Sequence, residues 1–180
     1  MSIDGYIAGV NGEMDWVVWN WDDELKKYVI AITEPVDCIL LGRKLAQGFI
    51  PHWASTPEQE GADKMNNTKK IVFTKTLDGS DPVVMEWGNT ILAKGDLAVE
   101  INALKKQDGK DIIAYGGANF VSALIKEKLI DEFHLFINPA AIGNGMSIFK
   151  ELDSKQNMTL VKSSSFDCGI VVLHYEPKHS

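Results

Sequence analysis

The sequence has few cysteines, no long apolar run and fewer basic than acidic residues. Its two cysteines, Cys38 and Cys168, are too few for a disulfide framework or a zinc cluster, and their apolar surroundings predict two buried thiols. No apolar run approaches the ~20 residues that span a bilayer, and no signal-like leader opens the chain, so we expect a cytoplasmic protein without membrane contact. Eighteen Lys+Arg against 25 Asp+Glu give a net charge of −7, which argues against broad binding to nucleic acid.

The length and composition predict one globular domain over residues 1–180. Hydrophobic residues make up 45% and charged residues 24%, which are ordinary values for a packed protein. Tyr6-Ile7-Ala8 resembles the end of a strand, but too few residues precede it to form a complete strand. This suggests that the first strand is truncated and that natural first residues are missing.

Short β-branched runs alternate with segments of helical period, a pattern typical of α/β proteins. We expect a mixed, mostly parallel sheet flanked by helices, with no internal domain boundary. The predicted strands are 36–41, 70–74, 111–115 as a central strand, and 133–138, followed by a terminal antiparallel hairpin of 158–165 and 169–176. The predicted helices are 22–32, 95–107 and one after Gly117, whereas 49–67 reads as a helix fragment and a long loop.

Three predicted strand ends carry glycines or cations. Gly116-Gly117 lies between a strand and a helix, Gly42-Arg43-Lys44 follows another strand, and Thr74-Lys75 follows a third. Ligands of open α/β sheets bind at such ends, where helix amides and cations can hold phosphates. A plain tight turn, a solvated basic turn and a surface pair are the respective alternatives. Neither Arg43-Lys44 nor Thr74-Lys75 offers the acid that usually binds the NAD ribose, which favours NADPH.

Seven segments taken in order carry a resemblance to a known family. They are Ser2–Ala8, Asn11–Trp16, Ile39–Lys44, Val72–Lys75, Tyr115–Ala118, Leu129–Glu132 and Pro139–Gly145. Their order and spacing resemble the dihydrofolate reductase superfamily, in particular the branch that contains the reductase domain of bacterial riboflavin biosynthesis. The resemblance covers nearly the whole chain.

The resemblance implies a cofactor role for each strand end. Gly42, Arg43 and Lys44 would hold cofactor phosphates, and Thr74 and Lys75 would reach the adenosine 2′-phosphate. Gly116 and Gly117 would lie against the pyrophosphate. The residues that open the adjoining helix would also bind the cofactor: Ala118, Asn119 and Phe120. The backbone of Ile7 and Ala8 would face the nicotinamide amide, under a mobile loop formed by Gly9–Trp16.

A reductase that transfers a hydride also needs a proton donor and residues that bind the substrate. Asp4 and an acid at the start of the first helix, Asp23 or its neighbours Asp22 and Glu24, are the candidate donors, with turn formation and helix capping as the alternatives. Trp16, Trp21 and Trp53 would stack on a flat substrate, with core or rim packing as the alternative for each. The histidines show no metal-binding spacing along the chain, so we expect no metal.

The chain departs from the riboflavin branch at two places. Leu45–Phe49 replaces a paired-acid-and-proline substrate element, and Tyr115 replaces an acid, so the ribosyl-phosphate substrate is not supported. The deaminase motif of the bifunctional enzymes is absent. The sequence therefore predicts an NADPH-dependent reductase of a pterin-like or pyrimidine-like compound, alternatively a non-catalytic NADPH-binding module. Apolar segments 133–137 and 169–175 make a homodimer plausible.

Overall fold

A computed structural model describes residues 1–178. Contacts group the chain into two compact units, which we call the central unit (Ile30–Val121) and the terminal unit (Met1–Val29 and the chain from Ser122 onward). In chain order the elements are α1 (Asp23–Thr33), β1 (Val36–Gly42), α2 (Arg43–Ser55), α3 (Ala62–Asn67), β2 (Lys69–Phe73), α4 (Pro82–Met85), β3 (Thr90–Ala93), α5 (Leu97–Lys105), β4 (Asp111–Ala114), α6 (Ala118–Lys126), β5 (Phe133–Ile137), β6 (Met158–Ser165) and β7 (Val171–Pro177).

The central unit contains a four-stranded parallel sheet in the order β3-β2-β1-β4. Cys38 through Leu41 of β1 are all buried. Such a continuous apolar run is expected when both faces of a parallel strand are covered. Ile39 and Leu41 pack with Val72 of β2 and Ile50 of α2 in the core of this unit. The predicted strand β4 lies at the end of the observed order, so its placement as a central strand was wrong.

Helix α2 is longer than the sequence indicated. It begins at Arg43, directly after β1, and continues to Ser55 through Pro51. Proline usually ends a helix because it lacks an amide hydrogen. Here Ala46 and Ile50 are buried on one face, and this burial outweighs the missing hydrogen bond. The expected long loop over 49–67 is therefore shorter and includes a second helix, α3.

The terminal unit contains a three-stranded antiparallel sheet in the order β5-β7-β6. The predicted terminal hairpin is confirmed as β6 and β7, which pair from Met158 opposite Pro177 to Ser165 opposite Val171. The fold class is confirmed, although the strands of residues 1–178 form two sheets rather than one mixed sheet. Within the same residues, no helix is both long and apolar enough to cross a membrane.

The first helix is fixed to the terminal unit by its cap. Asp22 precedes α1, and its carboxylate accepts hydrogen bonds from the amides of Leu25 (2.8 Å) and Cys168 (2.9 Å). These two bonds satisfy a free helix amide and lower the pKa of Asp22. Leu25 is fully buried against Ile170. Cys38 is a buried free thiol as expected, whereas Cys168 is only partly buried.

We predict that burial, more than residue type, sets the stability of the parallel sheet. Ile39→Ala removes a side chain that is 1% exposed and should lower the free energy of unfolding by about 2–5 kcal/mol. Ile91→Ala, on β3 of the same sheet, removes a side chain that is 52% exposed and should lower the free energy of unfolding much less. Urea denaturation of the two variants measures the difference. Equal losses would contradict the assignment of the core.

Candidate functional site

The carboxyl ends of four parallel strands lie along one edge of the sheet in the central unit. The register places Gly42 of β1 opposite Phe73 of β2, and Phe73 opposite Ala93 of β3. On the other side of β1, Leu40 pairs with Ala114 of β4. We call this the carboxyl edge. It brings together the three segments that the sequence singled out, because each lies at or just after the end of one of these strands.

Two cations open helix α2 at the carboxyl edge. Gly42, the residue before the helix, has extended backbone angles and provides no side chain to cap the first amides of α2. Arg43 and Lys44 occupy the first turn, and neither side chain forms a hydrogen bond or ion pair with another described residue. Uncapped amides, a guanidinium fork and a mobile ammonium together suit a phosphate group.

The Gly116-Gly117 turn joins β4 to α6 beside this cationic segment. Both glycines have positive φ, 21° and 81°, which residues with a side chain rarely adopt. A Cβ atom at Gly117 would meet Leu45 of α2 at 3.8 Å, so the turn lies against the first turns of that helix. Ala118 is buried and Asn119 is exposed where α6 begins. The backbone of this turn is thus open to close approach by a ligand.

Phe120 connects the three segments of the carboxyl edge. Its Cβ atom lies 2.8 Å from where a Cβ at Gly42 would stand, and its ring stacks on Phe73 with centroids 5.2 Å apart. The sequence predicted Phe120 as a cofactor residue, and the contacts add a packing role. Phe73, which the sequence analysis overlooked, completes this packing from the end of β2.

Thr74 and Lys75 continue the edge beyond β2. Thr74 is buried, and its hydroxyl oxygen accepts hydrogen bonds from the amides of Thr76 (3.1 Å) and Leu77 (3.0 Å). The Lys75 ammonium donates to the carbonyl oxygens of Lys94 and Gly95, each at 3.0 Å. Lys94 follows β3 and adds another cation that sequence reasoning missed, because β3 is too short for a clear strand pattern.

In the terminal unit, Asp4 holds a loop in place. Its carboxylate accepts hydrogen bonds from the Ser2 hydroxyl (2.6 Å) and from the amides of Gly143 (2.7 Å) and Ile142 (3.2 Å). The Ser2 bond is the largest cause, with the two amides contributing, of a lowered pKa of Asp4. Asp4 is therefore ionised at neutral pH, which is unfavourable for a proton donor.

The predicted nicotinamide segment lies beside the same loop. The amide of Ile7 donates to the carbonyl of Met146, and the amide of Met146 donates to the carbonyl of Ala8, both at 2.8 Å. A side chain at Gly145 would overlap the Ala8 carbonyl oxygen, so only glycine fits there. These hydrogen bonds and the close approach join the two backbone segments between the loops on either side.

An open cavity of about 520 Å³ lies in the terminal unit where these loops meet. It is lined by Gly9, Val10, Glu13, Asp15, Trp16, Ile142 and Asn144. The indole nitrogen of Trp16 is buried and has no hydrogen-bond partner among the described residues. An unsatisfied buried N–H is costly, and this one is sealed from the cavity that other atoms of Trp16 line. The substrate role of Trp16 stays a prediction.

Three other predicted site residues have different surroundings. Trp21 packs against the buried Leu25 cluster and donates its indole N–H to the Val18 carbonyl at 2.8 Å, which indicates core packing. In the central unit, Trp53 packs edge-on against Phe49. The carboxylate of Asp23 is 89% exposed and lies 4.0 Å from the Lys26 ammonium, an arrangement typical of a solvated helix surface.

Comparison with known proteins identifies the family. A family model described as the RibD C-terminal domain matches residues 1–172. The chain belongs to the RibD C-terminal domain family. This RibD-type chain is also similar to the uncharacterized protein YyaP of Bacillus subtilis, with 32% identity over 179 residues. The alignment covers 97% of this chain and 90% of YyaP.

Solved structures support the same fold for this RibD-type chain. A putative riboflavin biosynthesis protein from Shewanella sp. PV-4 matches with a TM-score of 0.73 and 23% identity, covering 99% of this chain and 96% of that protein. A diaminohydroxyphosphoribosylaminopyrimidine deaminase/5-amino-6-(5-phosphoribosylamino)uracil reductase from Thermotoga maritima matches with a TM-score of 0.69 and 19% identity. The match covers 98% of this chain and 54% of that protein. Dihydrofolate reductase from Enterococcus faecalis, complexed with NADP(H), matches with a TM-score of 0.57 and 17% identity. The match covers 95% of this chain and 89% of that protein.

We predict that the carboxyl edge tolerates no side chain at Gly42. Gly42→Ala places a methyl group 2.8 Å from Phe120 Cβ and should destabilise the protein by about 1–3 kcal/mol through displacement of α6. Gly48→Ala is the matched control, because nothing lies within 4 Å of its Cβ position in α2. Alanine favours helix, so the control should be neutral or stabilising by up to about 1 kcal/mol. Thermal unfolding compares them, and a neutral Gly42→Ala variant would refute the contact.

Proposed function

We propose that this protein is an NADPH-dependent reductase that transfers a hydride to a small pterin-like or pyrimidine-like heterocycle. The observation that carries the proposal is the carboxyl edge. There, two cations without a partner among residues 1–178 lie beside a positive-φ glycine pair and helix amides that no side chain caps. Membership of the RibD C-terminal domain family supports it, as does the shared fold with a dihydrofolate reductase complexed with NADP(H).

The phosphates of the cofactor would lie along the carboxyl edge. Arg43 and Lys44 would bind phosphate oxygens at the start of α2, while the amides after Gly116-Gly117 would approach the pyrophosphate. Lys75 would bind the 2′-phosphate. Asp96, the acid after β3, accepts a hydrogen bond from the Val99 amide at 3.0 Å and caps α5. One oxygen of its carboxylate is thus engaged in the helix cap.

We predict that Lys75 supports a preference for NADPH over NADH. Lys75→Ser removes a charge-assisted hydrogen bond, of about 1.5–3 kcal/mol, to the 2′-phosphate, so NADPH affinity should fall roughly 10- to 100-fold. NADH affinity should stay unchanged. Lys69→Ser, an exposed lysine at the opposite end of β2, is the control. Fluorescence titration with both nucleotides measures the affinities. Equal binding of NADPH and NADH by the unmodified protein would argue against the proposed site.

The substrate would occupy the cavity beside Trp16, whose indole ring would pack against the flat heterocycle. A bound nicotinamide supplies the hydride, and a proton must then reach the neighbouring heteroatom. Because Asp4 is ionised and its oxygens accept bonds from Ser2, Ile142 and Gly143, we propose that it positions the loop over the cavity. The proton would come from water, which can enter this open cavity. Asp23, exposed on α1, takes no part in this proposal.

We predict that Asp4→Asn changes the level of activity but not its pH profile. The amide group cannot accept all of the carboxylate's hydrogen bonds, so the loop loosens and kcat/KM should fall roughly tenfold. Loss of a general acid would instead cost about 10²–10⁴-fold and remove one limb of the pH profile. NADPH oxidation with a panel of pterins and pyrimidinones measures both effects, and Asp23→Asn should behave as the unmodified protein.

A non-catalytic NADPH-binding module is the second candidate function. The ionised state of Asp4 favours it, because the residue best placed in the sequence to donate a proton is held as a carboxylate. Tight NADPH binding without oxidation by any member of the panel would support this alternative. Turnover of one compound would exclude it.

A homodimer remains part of the proposal. Strand β6 has β7 as its partner in the three-stranded sheet and carries Leu160 and Val161, which are 51% and 49% exposed. An apolar edge strand of this kind suits pairing with a second copy. Sedimentation analysis of the full chain measures the oligomeric state.

A further inference from the structure

Three side chains of the types that ligate metals meet in the terminal unit, outside the cavity beside Trp16. Glu132, His134 and His174 each offer a donor atom, and these atoms lie within 4.8 Å of one another. His134 of β5 is paired directly with His174 of β7 in the antiparallel register, and Glu132 immediately precedes β5. The expectation of no metal relied on spacing along the chain, which cannot reveal a pair brought together across two strands.

The distances within this cluster suit a small divalent cation. Glu132 Oε2 lies 3.1 Å from His174 Nε2 and 3.5 Å from His134 Nε2. Donor atoms on a tetrahedral zinc ion, with bonds of about 2.0–2.2 Å, are roughly 3.4 Å apart. The two imidazole rings stack with centroids 4.3 Å apart and planes inclined by 16°. In this stacked arrangement the in-plane lone pairs of the two rings run nearly parallel, so a shared ion requires the rings to tilt toward each other.

One donor atom of the cluster has no hydrogen bond to any residue that the structure describes. His174 Nε2 is buried and has no partner of acceptable geometry, even though Glu132 Oε2 is 3.1 Å away. Buried polar atoms normally have partners, so an unsatisfied nitrogen facing a carboxylate requires an explanation. A cation between the three groups would accept the lone pairs of both nitrogens and neutralise the carboxylate.

Tyr28 of α1 orients the other imidazole. Its hydroxyl lies 2.8 Å from His134 Nδ1. When Nδ1–H donates to the tyrosine oxygen, Nε2 carries the free lone pair and faces Glu132. Metal-binding histidines commonly have an outer hydrogen bond of this type, which fixes the ring and its tautomer.

We propose that Glu132, His134 and His174 bind one zinc-like divalent cation, with a remaining coordination position open to solvent. Two imidazoles and one carboxylate suit Zn²⁺, Co²⁺ or Ni²⁺ better than Mg²⁺ or Ca²⁺, which prefer oxygen ligands. The Glu132 side chain is 56% exposed and gives the ion a path from solvent. A bound ion would link β5 to β7 and so stabilise the three-stranded sheet. The proposal is independent of the reductase function.

Metal titration of the untagged, chelator-treated full chain tests the site. Co²⁺ binding is followed by its visible absorption and Zn²⁺ binding by calorimetry. We expect one ion per chain, at least tenfold weaker binding in His134→Gln, His174→Gln and Glu132→Gln, and about tenfold weaker binding in Tyr28→Phe. His52→Gln, which changes an exposed histidine of α2, should bind as the unmodified protein.

Two results would overturn the proposal. One is the absence of saturable Co²⁺ or Zn²⁺ binding to the unmodified chain. The other is unchanged affinity in Glu132→Gln, an exposed position whose substitution should leave the fold intact, as circular dichroism would verify. Loss of binding in His52→Gln, together with full binding in the cluster variants, would assign the metal to other ligands.

Discussion

The close packing of Gly42 against Phe120 is the constraint on which the carboxyl edge depends. Because Gly42 has no side chain, the first turn of α6 can approach the end of β1, and the Phe120 ring reaches Phe73 at the end of β2. This contact fixes three strand ends relative to one another. The backbone amides of two helices are thereby presented along a single edge, with Arg43 and Lys44 beside them.

Local charge at this edge contrasts with the charge of the whole chain. The protein carries a net charge of −7, so its overall field repels anions. Arg43, Lys44, Lys75 and Lys94 nevertheless follow neighbouring strands of one sheet. Recognition of a phosphorylated cofactor would therefore be short-ranged and would depend on direct hydrogen bonds and helix amides more than on long-range steering.

Much of this arrangement could be predicted from local patterns. The apolar run of β1, the acids that open α1 and the terminal hairpin each show in the sequence, and each is confirmed. The length of α2 was missed because Pro51 signals a helix end, while the burial of Ile50 depends on contacts with the sheet. Lys94 was overlooked because β3 is only four residues long.

Roles that depend on contacts distant in sequence were the least predictable. Asp4 is three residues from the start of the chain, but its partners include the amides of Ile142 and Gly143. These bonds convert a candidate acid into an ionised anchor. The pairing of His134 with His174 was missed because these residues are far apart in the chain but adjacent in the sheet.

The most direct test of the account is amide NMR mapping of NADPH binding. NADPH should perturb the amide resonances of Arg43, Lys44, Gly116 and Gly117, and should leave Asp108–Lys110, at the opposite end of the sheet, unchanged. Perturbations centred on Asp108–Lys110, or no perturbation at saturating NADPH, would contradict the assignment of the carboxyl edge as the cofactor site.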